Sequence, residues 1–106
     1  MGVTPHNIDG SDEMQEREIE RTLVKRTKAR GGICLKWVSP GFAGVPDRIV
    51  LFPLARIGFV ELKAPGEVPR PLQVSRHKLL RRLGFKVYVI DGTEQIEEVL
   101  DEIQTP

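Results

Sequence analysis

Three residues, Asp47, Glu61 and Lys63, have types and spacing suited to phosphate chemistry. In the run Gly58-Phe59-Val60-Glu61-Leu62-Lys63-Ala64 an extended backbone sends Phe59, Glu61 and Lys63 to one face and Val60, Leu62 and Ala64 to the other. A carboxylate and an ammonium two residues apart on a strand cost desolvation and contribute little to a core. They are useful where a hard cation and a water-derived nucleophile must sit side by side. Asp47 follows Pro46 at the mouth of the preceding strand, and an antiparallel hairpin brings it beside Glu61.

Two adjacent carboxylates repel, and one is driven to hold a proton unless a cation intervenes. Mg²⁺ or Mn²⁺ suits the pattern, because such ions take oxygen ligands and keep several waters. Asp47, Glu61 and the backbone carbonyl of Leu62 are then the expected protein ligands. The ion would acidify a bound water and polarise a phosphate, while Lys63 orients the water or stabilises developing charge. The alternative is an exposed Glu61–Lys63 salt bridge, with Asp47 merely opening a strand. Glu-x-Lys alone favours that alternative; Pro46-Asp47, the spacing, the hairpin and the flanking loops together favour a site.

The elements that must position these groups can be read from periodicity. Residues 1–12, with His6, are polar and aperiodic and read as a loose leader; residues 13–106 read as one domain. A helix is expected from Glu13 to Arg30, with Ile19, Leu23, Val24 and Thr27 inward, stopped by Gly31-Gly32. Strands are expected over Ile33–Val38, with Ile33, Leu35 and Trp37 on one face, then Arg48–Phe52 and Ile57–Ala64. Pro71 is placed to open a second helix running to Leu83, with Leu72, Leu79, Leu80 and Leu83 inward. A fourth strand, Phe85–Ile90, leads to a final helix burying Ile96, Val99, Leu100 and Ile103. The first three strands should form an antiparallel meander. The strand-helix-strand crossover should set the fourth parallel to the third. The fold class is therefore α/β, a mixed four-stranded sheet flanked by helices.

The net charge of +1 conceals a segregation. From Arg21 to Ile90 there are 15 Lys or Arg against three acids, Asp47, Glu61 and Glu67; the other 12 acids flank this stretch. A basic middle of this kind suits a surface that meets phosphates, with no small-molecule cofactor implied. No apolar run approaches the roughly 20 residues that span a bilayer, so no membrane partner is expected. The single cysteine, Cys34, excludes an internal disulfide and suits a reducing, cytoplasmic setting.

The ordered set resembles one family. Pro-Asp followed by Glu-x-Lys at the end of the next strand resembles the PD-(D/E)xK nuclease superfamily. Gly44-Val45-Pro46-Asp47-Arg48, then Phe59 to Gly66, then Gln73 and the strand after Gly84, look like the virus-type replication-repair nuclease (VRR-NUC) family over about residues 14–92. The resemblance implies a restriction-endonuclease-like αβββαβ core and Mg²⁺- or Mn²⁺-dependent hydrolysis of DNA phosphodiesters. It also implies a further metal-side acid on the first helix, either Glu16 or Glu20, with the family's register favouring Glu16. Gln73 would bond the nucleophilic water or a phosphate oxygen. His77 is not used as a base in the family and is expected to be structural or phosphate-side. Arg48, Arg70, Arg76 and Lys78 are candidates for backbone phosphate contacts, which position nucleic acid without reading sequence. Arg81 and Arg82 flank the same helix. Stand-alone members look like phage or prophage proteins, so the resemblance implies a cytoplasmic role in viral DNA processing. One site per domain against the two cuts that a four-way junction needs leads to the expectation of a homodimer acting on branched DNA, a picture that stand-alone members resemble. An inactive DNA-binding module and a flap or RNA nuclease are the alternatives.

Overall fold

A computed structural model describes residues 11–106; the expected leader up to Gly10, with His6, lies outside the described residues. The elements are α1 (Ser11–Ala29), β1 (Ile33–Lys36), β2 (Arg48–Phe52), β3 (Arg56–Leu62), α2 (Pro71–Arg82) and β4 (Lys86–Ile90). A 3₁₀ turn (Thr93–Gln95) and α3 (Ile96–Gln104) complete the chain. The sheet order is β1-β2-β3-β4, antiparallel across the first three strands and parallel between β3 and β4. This is the expected mixed α/β sheet. α1 begins two residues before Glu13, so Ser11 and Asp12 are helical rather than part of a leader.

The two faces of the sheet are unequal. On one, Cys34, Val50, Phe52, Val60, Leu62 and Ile90 pack under Ile19 and Leu23 of α1 and Ile96, Val99, Leu100 and Ile103 of α3. Burying an aliphatic side chain of this kind contributes about 1.5–3 kcal/mol, and this layer holds most of them. Gly58 belongs to this face: a Cβ there would lie 2.5 Å from Ile103 Cδ1, so α3 approaches β3 too closely for a side chain. α1 and α3 are also joined electrostatically. The Arg30 guanidinium pairs with Glu97 (2.5 Å) and Asp101 (2.7 Å), and Arg26 pairs with Glu97 (2.6 Å). The opposite face carries a smaller cluster, Phe59, Leu80 and Val87, with Trp37, Ile49 and Ile57 at its margin.

Three sequence expectations are corrected on that thinner face. The inward stripe of α2 is Gln73, His77 and Leu80, whereas Leu72 and Leu83 are exposed, Leu83 at 63%. The reason is the facing acid, Glu61, which needs hydrogen-bonding partners more than apolar ones. In β1, Ile33 and Leu35 are exposed and Cys34 is the buried residue. Those two aliphatic side chains share a face with Trp37 as expected, but α2 does not reach over this edge strand to cover them. β1 and β3 are also shorter than expected and β4 begins at Lys86, leaving Phe85 outside it.

The β2–β3 hairpin carries local strain. Phe52 pairs with Arg56, and the three-residue turn between them holds Leu54 and Ala55 at φ 66° and 58°. This left-handed region costs a residue bearing a Cβ about 1–2 kcal/mol. Ala55→Gly should therefore raise stability by about 0.5–1 kcal/mol, after allowing for glycine's extra unfolded-state entropy. Chemical denaturation of the two proteins measures this, and a loss of stability would show that the turn is unstrained.

Candidate active site

β2 and β3 place the acids by register. Arg48 pairs with Val60, so continuing the ladder by one residue sets Asp47 opposite Glu61. Beyond the last pair the Asp47 carboxylate replaces the missing strand: Leu62 N–H donates to its Oδ2 at 2.7 Å. Lys63 lies one residue past β3, but its N–H bonds Ile90 O at 2.9 Å, which prolongs the strand's alternation. Its ammonium consequently stays on Glu61's face, Nζ 3.8 Å from Glu61 Oε2. The sequence-predicted trio is thus brought together at one end of the sheet.

Glu61 is the least expected feature of this group, being 1% exposed. Both of its oxygens are held by α2. Gln73 Nε2 donates to Oε2 at 3.0 Å, and His77 Nε2 lies 3.2 Å from Oε1. Burial first, and then the neighbouring Asp47 carboxylate, push the Glu61 carboxyl up to about 8. Burial also holds the His77 imidazole below its ordinary value, with Arg81 adding to the effect. The 3.2 Å contact is therefore a hydrogen bond with a neutral imidazole rather than an ion pair. Either Nε2–H donates to the carboxylate, or a protonated Glu61 donates to Nε2.

Gln73 has a second task that fixes its orientation. Its Oε1 accepts from the N–H of Arg70 at 2.8 Å, closing the first turn of α2, so the amide nitrogen is left to face Glu61. His77 lies four residues further on, one turn along the same helix face. The sequence suggested Gln73 but not His77's contact with Glu61. The spacing from Gln73 was the available signal.

α1 brings its acids to the same end, and the structure separates the two candidates. Glu20 Oε2 is bound by Arg48 at 2.9 Å through both Nε and a terminal nitrogen, and this pair is mostly buried. Glu16 has no such partner among the described residues. Its carboxyl is raised by burial and then by Asp47, whose field it feels. A cleft of about 360 Å³ connects them, lined by Glu16, Glu20, Lys36, Asp47 and Leu62. Along a strand a residue's N–H and C=O leave the same side, so the Leu62 carbonyl is directed towards Asp47 as its N–H is.

The four expected phosphate-contact residues divide. Arg70 and Lys78 are exposed on α2. Arg48 is bound by Glu20 and reaches Cys34 O (3.3 Å), so its guanidinium is held against α1 and β1. Arg76 is likewise occupied: it donates to Ala43 O at 2.7 Å and lies 3.8 Å over the Phe42 ring, pinning the loop that precedes Asp47. Arg81 donates to Val87 O and braces β4.

This geometry can be set against known proteins. No family profile matches the chain. A protein of Acyrthosiphon pisum secondary endosymbiont phage 1 named "Putative nuclease p44" is 48% identical over 81 residues, 76% of this chain and 87% of the relative. A solved structure described as a VRR_NUC domain superposes with a TM-score of 0.77 at 30% identity, covering 82% of this chain and 95% of that one. With Asp47, just before β2, and Glu61 of β3 meeting at the sheet's end on that shared fold, the chain belongs to the VRR-NUC family of nucleases.

Proposed function

We propose that the chain is a divalent-metal-dependent, structure-selective endonuclease that hydrolyses DNA phosphodiester bonds. The observation that carries this reading is the buried Glu61 beside Asp47, with the Lys63 ammonium at 3.8 Å. A structural salt bridge has no need of two adjacent acids at such a desolvation cost.

The donor set fits Mg²⁺ or Mn²⁺. Asp47, Glu61 and the Leu62 carbonyl offer oxygen only, and Glu16 stands across the cleft as a further carboxylate. Among the described residues no group of three or more His, Cys, Asp or Glu side chains forms a complete cage. Mg²⁺ does not need one, since it is bound through one or two carboxylates and retains waters. Such an ion supplies a water of lowered pKa and polarises the phosphate. The chain's own groups do the remaining work. Gln73 and His77 hold both Glu61 oxygens in place. The Leu62 N–H fixes Asp47. The Lys63 ammonium faces the negative charge that builds on the phosphate as water adds to phosphorus and a sugar oxygen leaves. Arg70 and Lys78 contact the nucleic-acid backbone.

The substrate we propose is branched phage DNA in the host cytoplasm, four-way junctions in particular, cut by a homodimer. One chain carries one site, and resolving a junction needs two cuts related by an approximate two-fold. A closed symmetric dimer provides that arrangement.

Hydrolysis should require Mg²⁺ or Mn²⁺, and Asp47→Asn or Glu61→Gln should abolish it while DNA binding persists. Lys63→Ala should slow cleavage by about 10²-fold or more. A gel assay on labelled branched and linear DNA checks these outcomes, and cleavage in excess EDTA would overturn the metal requirement.

Glu61 also gives a pH dependence without metal. Its carboxyl rises from an ordinary 4.5 to about 8 on folding. The protonated form is therefore favoured by the fold, and this contribution is lost as pH rises from 4.5 through about 8. Glu61→Gln should flatten that part of the stability–pH profile and raise the melting temperature of metal-free protein at pH about 9. Equal slopes for the two proteins in thermal melts would show that Glu61 is not held neutral.

Light scattering should give twice 11.9 kDa at micromolar concentration, and opposing strands of a junction should be cut. A monomeric mass with cutting of single flaps alone would remove the junction assignment and keep the nuclease.

A further inference from the structure

The second half of α1 and the residue just after it carry Arg21, Lys25, Arg26, Lys28 and Arg30, and no acid follows in sequence until Asp47. The fold divides these five cations between two faces. Arg26 and Arg30 turn to α3 and are neutralised by Glu97 and Asp101. Arg21, Lys25 and Lys28 turn outward and are exposed. With Arg17 they line a groove of about 570 Å³, floored by Val24 and walled by Arg48. Arg17 and Arg21 meet Glu13 (4.0 Å) and Glu18 (3.3 Å), exposed pairs of the kind that contribute little and yield readily to a stronger anion.

The groove is continuous with the acidic end of the sheet. Glu20 lines it and also lines the cleft that holds Glu16, Asp47 and Leu62. Lys36, on the edge strand β1, continues the basic wall into that cleft. A helix dipole favours cations only in the last turn, so it accounts for Lys28 but not for Arg17, Arg21 or Lys25.

We infer that this α1 groove is a phosphate-binding track for a duplex DNA arm, which it guides towards Asp47 and Glu61. The inference rests on the nuclease reading above and adds the surface that holds the substrate away from the cut. From Arg17 to Lys28 the helix rises about 16 Å, close to five base pairs of axis at ~3.4 Å each. The groove along α1 has no aromatic side chain on which an unpaired base could stack, the nearest lining aromatic being Trp37 in the adjoining cleft, so this surface suits a duplex backbone rather than a single strand.

The test measures binding of a fluorescent duplex and of a single strand of equal length at several salt concentrations. The protein carries Asp47→Asn to prevent cleavage. Arg21→Gln, Lys25→Gln and Lys28→Gln are introduced singly and together, with Arg56→Gln, at the far hairpin, as the charge control. Each groove substitution should lower the duplex salt slope by about 0.9, and the triple variant by about three. In the cleavage-competent chain the triple variant should raise KM for long-armed substrates and leave kcat unchanged. Single variants keep the test decisive if the triple one does not fold. Slopes and KM equal to those of Arg56→Gln would overturn the groove and leave the nuclease intact. A triple variant losing single-strand affinity as strongly as duplex affinity would overturn the duplex assignment. A parent chain that neither binds nor cuts any DNA would instead overturn the nuclease reading itself, and the groove with it.

Discussion

A carboxylate placed out of reach of water governs the functional end of this protein. Glu61 is 1% exposed and has Asp47 as its neighbour, an arrangement whose ionised form is costly unless something positive or protic completes it. The fold supplies a graded answer. Gln73 and His77 satisfy the oxygens, Lys63 offers partial compensation at 3.8 Å, and the proton held up to about 8 removes the rest of the charge. A proton at that position is replaceable by a cation, and the proposed chemistry depends on this exchange.

The same acid explains the asymmetry of the core. α2 spends two of its three buried positions on Gln73 and His77 and keeps only Leu80 for apolar packing. Its face of the sheet therefore holds a three-residue cluster, against twelve buried residues on the α1/α3 face. Stability is concentrated on one side of the sheet and polar chemistry on the other. Because α1 and α3 are joined by Arg26 and Arg30 as well as by aliphatic packing, the polar side can be thin without loosening the frame that sets the β2–β3 register.

What the sequence reveals follows the same division. Helix and strand order, the meander, and the buried stripes of α1 and α3 are legible because each depends on one periodicity with apolar residues facing inward. The meeting of Asp47, Glu61 and Lys63 is legible too, since strand parity and a short hairpin suffice to place them. α2 is misread because its leucines suggest an inward face when the facing strand presents an acid, and a single-segment pattern does not contain that partner. Ile33 and Leu35 are misread for a related reason: alternation reports which residues share a face, not whether another layer covers it. The separation of Glu16 from Glu20 is not legible from residue spacing, and only the register of the family resemblance favours Glu16. Both lie on the same side of α1, and only the register of β2 reveals that Arg48 reaches Glu20.

The fate of Arg48 bears on how the two proposed surfaces cooperate. Its guanidinium binds Glu20 Oε2 through two nitrogens and also reaches Cys34 O, tying α1 to β2 and to the edge strand at once. That tie sits between the groove lined by Lys25 and Lys28 and the cleft lined by Glu16 and Asp47, with Glu20 common to both. Without Arg48, Glu20 would add an uncompensated negative charge on the path proposed for a phosphate. With it, Glu20 is neutralised while the groove behind remains basic. On the proposed path an anion drawn along α1 next meets Glu16 and Asp47, whose repulsion towards phosphate a divalent cation would offset. In the proposed arrangement Arg48 neutralises Glu20 while its guanidinium also walls the groove, which accounts for an arginine next to Asp47 being turned towards α1.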